Sequence, residues 1–368
     1  MKKILALVGT RPEVIKVFPV VEALQKRKGI LCEVAFTGQH LDLVMPIAQE
    51  LGLFFSHTLS GPKKEATLSM SASTIMQQVA ELLEQTKPDV VLVQGDTTTA
   101  FSGALAAFYA KIPIVHVEAG LRTYDLHAPF PEEMHRVVID QLASILFAPT
   151  SKARDNLLEK GVLDENIWVV GNSAIDAVRK VYKPPEKVYP QIVLTIHRRE
   201  NQGVYLEKIC AGVRKVAKAF PNYKILVFLH PNPEVNKPIR TSLQGISNIT
   251  FSPPAEYSDF ISHLSRSLFI VTDSGGIQEE AAFLGKPVLV LREKTEREEG
   301  VRALTAKIIG RDEQEIFSSC KELLEDQEKI SGMAKVHYSY GDGYAGERMA
   351  KIIEEQVLEI ENETPLFC

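Results

Sequence analysis

The chain of 368 residues is long enough for two domains of about 150 residues each, which excludes a fibre repeat or one small module. Hydrophobic residues make up 45% and charged residues 24%, a composition that disfavours wholesale disorder and a bundle of membrane helices. With 42 basic and 47 acidic side chains the net charge is −5, which argues against nucleic acid as a partner.

Short runs rich in Val, Ile and Leu alternate with longer helical stretches, a pattern typical of parallel strands joined by helices. In the first half, the predicted strands are Ile4–Val8, Cys32–Thr37, Val90–Gln94, Ile114–Val117, Ile145–Pro149 and Ile167–Val170. In the second half, they are Ile192–Thr195, Lys224–Leu229, Ile249–Ser252, Leu268–Thr272 and Val288–Leu291. The predicted helices include Val14–Gln25, Leu68–Thr86, Tyr205–Ala219, Asp259–Ser265, Gln278–Leu284 and Gly346–Glu361. We therefore predict an α/β fold with two Rossmann-like, doubly wound parallel-sheet domains that face a cleft.

A proline-rich segment, Lys183–Pro190, precedes the second series of strands and marks a linker. The hinge is expected slightly earlier, near Gly171 and Asn172, where a glycine ends a predicted strand. The last predicted helix follows a glycine-containing turn and is expected to cross back to the first domain. The predicted N-terminal domain is therefore residues 1–171 plus 352–368, and the C-terminal domain is residues 172–351.

Four cysteines are spread without a C-x-x-C pair, and the histidines lack metal-ligand spacing, so no metal site is expected. Only five apolar residues, Ile4–Val8, follow the N-terminal lysines before Gly9 interrupts them. This run is too short for a signal peptide, and no uncharged run approaches the roughly 20 residues of a membrane helix. We therefore predict a cytoplasmic protein without membrane contact.

Polar segments, most of them containing glycine or proline, follow the C-terminal ends of the predicted strands. They are Gly9–Glu13, Gly38–His40, Gly95–Thr98, Glu118–Thr123, His197–Asn201, His230–Pro233, Asp273–Gly276 and Arg292–Arg297. Open α/β sheets bind ligands at this edge, so these segments are expected to line one cleft. Neither G-x-G-x-x-G nor a Walker sequence is present, so an anion site must be built in another way.

The segment Asp273–Glu280 offers such an anion site, because a predicted strand runs into two glycines and then a helix. Free backbone N–H groups at the helix start can bind a phosphate, although a simple turn capped by Ser274 is an equal alternative. Arg11 lies in a tight turn where its guanidinium could clamp a diphosphate, and Arg297 is placed similarly. An ordinary surface ion pair is the alternative for both arginines, and it has more weight for Arg297.

Three acidic residues of the first domain stand out: Asp96 and Glu118 lie at strand ends, and Glu132 lies in a Pro-Glu-Glu sequence. Carboxylates brought together in a closed site push their pKa values apart, which yields an acid and a base at neutral pH. Taken singly, each could be a helix cap or a salt-bridge partner. From the second domain, His197 is a candidate acid or phosphate ligand.

Six of these motifs occur in a characteristic order, and together they carry a family resemblance. They are Gly9–Glu13, Gln94–Thr98, His116–Thr123, Phe130–Glu133, His197–Asn201 and Asp273–Glu280. The chain resembles the bacterial non-hydrolysing UDP-N-acetylglucosamine 2-epimerases from Met1 to about Ala350. The resemblance implies a glycosyltransferase-B type fold, a UDP-sugar as partner, a homodimer, and no cofactor.

The implied reaction interconverts UDP-N-acetylglucosamine and UDP-N-acetylmannosamine for the synthesis of cell-surface polysaccharide. It proceeds by anti elimination of UDP to 2-acetamidoglucal, followed by re-addition. By resemblance, the carboxylates Asp96, Glu118 and Glu132 carry the proton transfers, and His197 assists at the leaving phosphate. The implied substrate-binding residues are Arg11, Lys16, Phe260, Ser274, Gly275, Gly276, Glu280 and Arg297, although Phe260 could equally be helix core.

The resemblance also implies a candidate regulatory site for a second UDP-sugar, formed by Gln39, His40 and His230. Ala66 stands where many family members carry a glutamine in this site, so weakened or altered activation is expected. His135, Glu298 and the pair Tyr338-Ser339 also depart from the usual family residues. None of these departures removes a proposed catalytic group.

Three other functions compete with epimerisation of UDP-N-acetylglucosamine. The three carboxylates disfavour a glycosyltransferase of the same fold, since an inverting transferase needs only one base, and a non-catalytic UDP-sugar-binding regulator would be expected to lose one of them. A 2-epimerase of a related UDP-sugar, such as a 2,3-diacetamido uronic acid, stays open.

Overall fold

The computed structural model describes residues 1–39, 41–63, 65–230, 233–253 and 255–359. The chain divides into two compact units. Unit 1 consists of Met1–Ala177 together with Gly341–Cys368, and unit 2 consists of Val178–Tyr340. The sequence predicts domain limits at residues 171/172 and 351/352. The hinge expected there stays a prediction.

Unit 1 contains a seven-stranded parallel sheet of order β3-β2-β1-β4-β5-β6-β7. Its strands are β1 Lys2–Val8, β2 Ile30–Phe36, β3 His57–Thr58, β4 Val90–Gln94, β5 Ile114–Val117, β6 Ile145–Ala148 and β7 Ile167–Val169. Its helices are α1 Arg11–Gln25, α2 Leu41–Leu51, α3 Leu68–Thr86, α4 Thr98–Tyr109, α5 Glu132–Leu142, α6 Ser151–Glu159 and α7 Ala174–Val181. Helix α7 ends in unit 2, and the C-terminal segment adds α15 Ala345–Glu359 to unit 1.

Unit 2 contains a six-stranded parallel sheet of order β10-β9-β8-β11-β12-β13. Its strands are β8 Gln191–Thr195, β9 Lys224–Phe228, β10 Ile249–Ser252, β11 Phe269–Thr272, β12 Val288–Val290 and β13 Ala306–Ile308. Its helices are α8 Val204–Ala219, α9 Pro233–Leu243, α10 Tyr257–Arg266, α11 Gly275–Leu284, α12 Glu298–Arg302, α13 Glu313–Glu325 and α14 Gln327–Met333.

Both faces of the central strands are buried, which explains their nearly continuous apolar sequence. In β1, every side chain from Ile4 to Val8 has no exposed surface. Leu5 and Leu7 pack in one cluster with Ile75 and Val79 of α3. Threonines begin several of the covering helices, as at α4, where the Thr97 hydroxyl accepts a hydrogen bond from the Ala100 N–H.

The predicted fold class is confirmed, since both sheets are parallel and are covered by helices. The strands β3 and β13 were not predicted, and the predicted helices did not include α2, α4 to α7, α9 or α12 to α14. β3 has only two residues at the sheet edge, and α2 and α9 each contain an internal proline, Pro46 and Pro238, which usually argues against a helix. The last two residues of the predicted C-terminal helix lie outside the described residues.

No described helix combines the length and apolar character needed to cross a membrane.

Two glycines with the same backbone conformation test how tightly unit 1 is packed. A Cβ on Gly120 (φ +84°) would lie 2.2 Å from the Ala153 carbonyl oxygen, whereas one on Gly161 (φ +81°) would meet no atom within 4 Å. We expect Gly161→Ala to lower the free energy of unfolding by about 1 kcal/mol through backbone strain. Gly120→Ala should cost about 1–3 kcal/mol more because of the clash.

Urea unfolding followed by fluorescence of Trp168, the single tryptophan of the chain, measures this difference in unit 1. Equal losses for the two variants would contradict the packing described for Gly120.

Candidate active site

Several of the candidate residues lie where the strand order reverses in each sheet. In unit 1, β1 and β4 are neighbours, and the segments with Arg11 and Asp96 follow them. In unit 2, β8 and β11 are neighbours, and the segments with His197 and Ser274 follow them. The crevice outside the carboxyl ends of strands at such a switch point is the usual ligand site of an open α/β sheet.

Glu118 is a buried, ion-paired carboxylate directly after β5. Lys16 of α1 donates to its two oxygens at 2.5 and 2.6 Å. Gln94 Nε2 donates to Oε2 at 2.6 Å, and Asn172 Nδ2 donates to Oε1 at 3.0 Å. The backbone of Glu118 is left-handed, with φ +67°, a strained conformation that is concentrated at functional sites.

Asp96 is paired with a cation from α5. Arg136 Nη2 lies 2.5 Å from Asp96 Oδ2, and the His135 ring donates through Nδ1 to the Asp96 carbonyl at 2.8 Å. A Cβ placed on Gly95 would lie 3.7 Å from Glu118 Oε2, so the Glu118 carboxylate lies against the residue that precedes Asp96. The structure therefore brings the two predicted carboxylates to neighbouring turns.

The Pro-Glu-Glu motif divides into two roles. Glu133 is buried and accepts hydrogen bonds from the backbone N–H groups of Thr123 and Tyr124 at 3.0 and 3.1 Å, so it fixes the loop before α5. Glu132 begins α5, and within the described part of the chain it makes no hydrogen bond or ion pair. Glu132 is therefore the carboxylate of this motif that is available for chemistry.

Glu13 was not predicted as a site residue, yet it is a buried carboxylate beside the Asp96 turn. It accepts from the N–H groups of Gly9 and Thr10 at 2.9 and 2.7 Å and from the Thr97 hydroxyl at 2.5 Å. No cation contributes to its stabilisation, and burial raises its pKa to about 7 against the opposing effect of these hydrogen bonds. Its neighbour Arg11, at the first position of α1, has no ion-pair or hydrogen-bond partner among the described residues.

His197 of unit 2 is oriented by a buried carboxylate, Asp273. The ring nitrogen Nδ1 lies 3.1 Å from Asp273 Oδ1, and the same carboxylate accepts from the backbone N–H groups of His197 and Arg198. His197 and these hydrogen bonds hold the pKa of Asp273 below its ordinary value although burial opposes this. The His197 ring also stacks on His230, with centroids 6.0 Å apart.

The start of α11 is open in the way that an anion site requires. Ser274 is the N-cap residue, but its side chain makes no capping hydrogen bond, contrary to the simple-turn alternative. A Cβ on Gly275 would lie 3.0 Å from Arg297 Cζ, whereas one on Gly276 would meet nothing within 4 Å. Arg297, which also bonds Glu279 at 2.9 Å, therefore places its guanidinium against the helix N-terminus.

Arg198 is a cation of this region that the sequence reasoning left out of the site. It is partly buried and donates through Nε to the Asp273 carbonyl at 3.1 Å. Burial, together with the positive charges of Arg292 and Arg297, lowers the pKa of Arg198. A bound anion would relieve this repulsion between neighbouring cations.

The remaining predicted residues have definite surroundings. Glu280 is buried and accepts from the Tyr257 hydroxyl at 2.9 Å, rather than lying solvated on the helix surface. Phe260 packs edge-on against Phe228, with centroids 4.9 Å apart. Of the regulatory residues, Gln39 accepts from the Thr99 hydroxyl at 3.0 Å, and His40 lies outside the described residues.

Among the described residues, no group of three or more His, Cys, Asp and Glu side chains is arranged to hold a metal ion. The sequence-based expectation that the protein uses no metal and no cofactor stays a prediction.

Comparison with known proteins identifies the family. The family model described as UDP-N-acetylglucosamine 2-epimerase matches residues 22–354. The Bacillus subtilis UDP-N-acetylglucosamine 2-epimerase is 41% identical over 96% of this chain and 94% of its own. The crystal structure of the Neisseria meningitidis UDP-GlcNAc 2-epimerase bound to UDP-GlcNAc has a TM-score of 0.89 at 39% identity, covering 97% of this chain and 100% of that one. The S. aureus MnaA–UDP structure has a TM-score of 0.91 at 40% identity, with 99% of each chain covered.

The raised pKa of Glu13 predicts a pH-dependent stability. The folded state binds this proton more tightly than the unfolded chain, so the contribution to stability is full below pH 4.5 and is lost as the pH rises through about 7. Relative to Glu13→Gln, the wild type should lose on the order of 3 kcal/mol of unfolding free energy between pH 4.5 and 8.

Urea unfolding at several pH values, again followed through Trp168, measures the difference. Glu22→Gln on the same helix is the control, since Glu22 is a partly exposed carboxylate that pairs with Lys26 at the surface. A wild type and a Glu13→Gln variant with parallel pH profiles would show that Glu13 titrates normally.

Proposed function

The chain belongs to the UDP-N-acetylglucosamine 2-epimerase family and is an isomerase, and we propose that it interconverts UDP-N-acetylglucosamine and UDP-N-acetylmannosamine. The observation that carries this proposal is the pair of neighbouring turns after β4 and β5. They hold Asp96 and Glu118 close together, each beside its own cation, Arg136 and Lys16. Two positioned carboxylates are what inversion at a carbon needs, because one face must lose a proton and the other must receive one.

The proposed route begins with departure of UDP, because the proton on carbon 2 of the sugar is only weakly acidic. The bond between carbon 1 and the β-phosphate oxygen breaks, a carboxylate removes the carbon 2 proton, and 2-acetamidoglucal forms. UDP then returns to carbon 1 of the same glucal, while a second acid delivers a proton to the opposite face of carbon 2. Stabilising the negative charge of the departing UDP is therefore the largest demand on the protein.

Unit 2 has the groups suited to that demand. We assign the diphosphate to Ser274, Gly275 and Gly276 at the start of α11, where backbone N–H groups and Arg297 provide positive potential. His197, held by Asp273, assists the leaving phosphate. Glu280 binds the ribose hydroxyls, and Phe260 packs on the uracil.

Unit 1 has the groups suited to proton transfer. We assign this transfer to Asp96, Glu118 and Glu132. Lys16 lies within 2.6 Å of both Glu118 oxygens and favours the ionised form of that carboxylate, and it reaches the sugar as a substrate-binding residue. Arg11, whose guanidinium has no partner in the described residues, contacts the diphosphate.

The proposal extends to the finer expectations from the sequence: a homodimer in the cytoplasm that supplies cell-surface polysaccharide synthesis. We also propose that activation by a second UDP-sugar at Gln39, His40 and His230 is weakened or altered, because Ala66 replaces the family's glutamine.

The test is incubation of the purified protein with UDP-N-acetylglucosamine in heavy water. NMR should show solvent deuterium at carbon 2 together with the manno product.

Asp96→Asn and Glu118→Gln should each lower the rate of epimerisation about 10²- to 10⁴-fold, because each removes an acid or base. UDP binding, measured by calorimetry, should be retained in both variants.

Asp164→Asn is the matched control, since Asp164 forms an exposed surface pair with Arg154 and should keep full activity. Absence of deuterium at carbon 2 with either UDP-sugar as the starting material would overturn the proposed function. Conversion of only a different UDP-sugar, such as a 2,3-diacetamido uronic acid, would favour the alternative substrate.

A further inference from the structure

Beneath the two carboxylate turns of unit 1 lies a fully buried charged group, Asp140 of α5. Its Oδ1 lies 2.6 Å from the His116 ring nitrogen Nδ1. Its Oδ2 accepts from the Gly120 backbone N–H at 3.2 Å and forms a short ion pair with Arg122. Asp140 and His116 have almost no exposed surface, so this network is closed to water.

The hydrogen-bond partners of His116 define its protonation state. Nδ1 faces the Asp140 carboxylate, and Nε2 faces the Gly95 carbonyl oxygen at 2.8 Å. Both partners can only accept hydrogen bonds, so both ring nitrogens must carry a proton. The geometry therefore requires an imidazolium, and Asp140 is its counter-ion. In agreement, the charges of His116 and Arg122 hold the pKa of Asp140 below its ordinary value, although burial opposes this.

The network attaches to the backbone on both sides of Glu118. His116 precedes Glu118 by two residues, and Gly120 follows it by two, so one carboxylate holds both ends of the left-handed turn. Through the imidazolium it also holds the carbonyl of Gly95, the residue before Asp96. A left-handed backbone at a residue other than glycine persists only where its surroundings fix it.

We propose that Asp140 is a positioning residue, which holds Glu118 and Asp96 in reactive geometry through the His116 imidazolium and the Gly120 N–H. This inference rests on the proposed function, because it assumes that these two carboxylates act on the substrate. In Asp140→Asn, the ring of His116 is neutral, its Nε2–H still donates to the Gly95 carbonyl, and its Nδ1 accepts from the amide. These neutral hydrogen bonds are weaker than the charge-assisted ones that they replace, so the turns that carry Asp96 and Glu118 are held less firmly.

The test compares Asp140→Asn with Asp176→Asn. Asp176 is a partly buried carboxylate of unit 1 that likewise accepts from backbone N–H groups, but those groups belong to Ala345 and Gly346 at the start of α15. We expect Asp140→Asn to lower kcat about 10²-fold, with KM and the Kd for UDP nearly unchanged, because misplacement of reacting groups affects the transition state. Asp176→Asn should keep its kcat.

The side-chain nitrogen signals of His116 provide a readout that a merely structural role would not move. In ¹⁵N NMR spectra, the wild type should show an imidazolium at neutral pH and Asp140→Asn a neutral ring. An unchanged kcat in Asp140→Asn, or an equal loss of kcat in Asp176→Asn, would overturn the inference. If Asp140→Asn does not fold, a neutral His116 in the wild-type spectrum would overturn it equally, and an imidazolium would support it.

The wild-type activity in the same experiment distinguishes a failure of the proposed function from a failure of the positioning role of Asp140. A wild type that incorporates no deuterium at carbon 2 shows a failure of the proposed function. An active wild type with an equally active Asp140→Asn variant shows a failure of this inference alone.

Discussion

Several carboxylates lie buried or partly buried at one edge of the unit 1 sheet, and each must be compensated, because a charge removed from water without a partner is very costly. Glu118 is paired with Lys16, Asp96 with Arg136, and Asp140 with His116 and Arg122. Glu13 has only neutral donors, and its pKa is raised to about 7, whereas the pKa of Asp140 is lowered. The compensating cations come from α1, β5, α5 and the loop after β5, so the arrangement of these elements and the charge state of the site depend on each other.

Unit 2 also has a buried carboxylate, Asp273, which organises the turn after β8. Its arginines Arg198, Arg292 and Arg297 repel one another, and the last two also pair with Glu296. Acidic groups with individual cations, as in unit 1, suit proton transfer, and cations that repel one another, as in unit 2, suit a diphosphate.

The fold was largely readable from the sequence, because buried parallel strands leave apolar runs and their ends leave polar segments with glycine. The same logic located Asp96, Glu118, His197 and Ser274 at strand ends. The partners of the carboxylates were harder to find: Asn172 lies 54 residues from Glu118 along the chain, and only the folded structure joins them. Arg136 and Asp140 could have been found from the sequence, because they follow Glu132 at successive four-residue steps on α5 and so share one helix face.

The central claim is that the bond between carbon 1 and the UDP oxygen breaks when carbon 2 loses its proton. The most direct measurement uses UDP-N-acetylglucosamine with ¹⁸O in the bridge between carbon 1 and the β-phosphorus, incubated with the protein in heavy water. ³¹P NMR follows the ¹⁸O label while proton NMR follows carbon 2. If this bond breaks, ¹⁸O should move from the bridge to non-bridging positions of the β-phosphate as deuterium enters carbon 2. Deuterium at carbon 2 with all ¹⁸O retained in the bridge would contradict it.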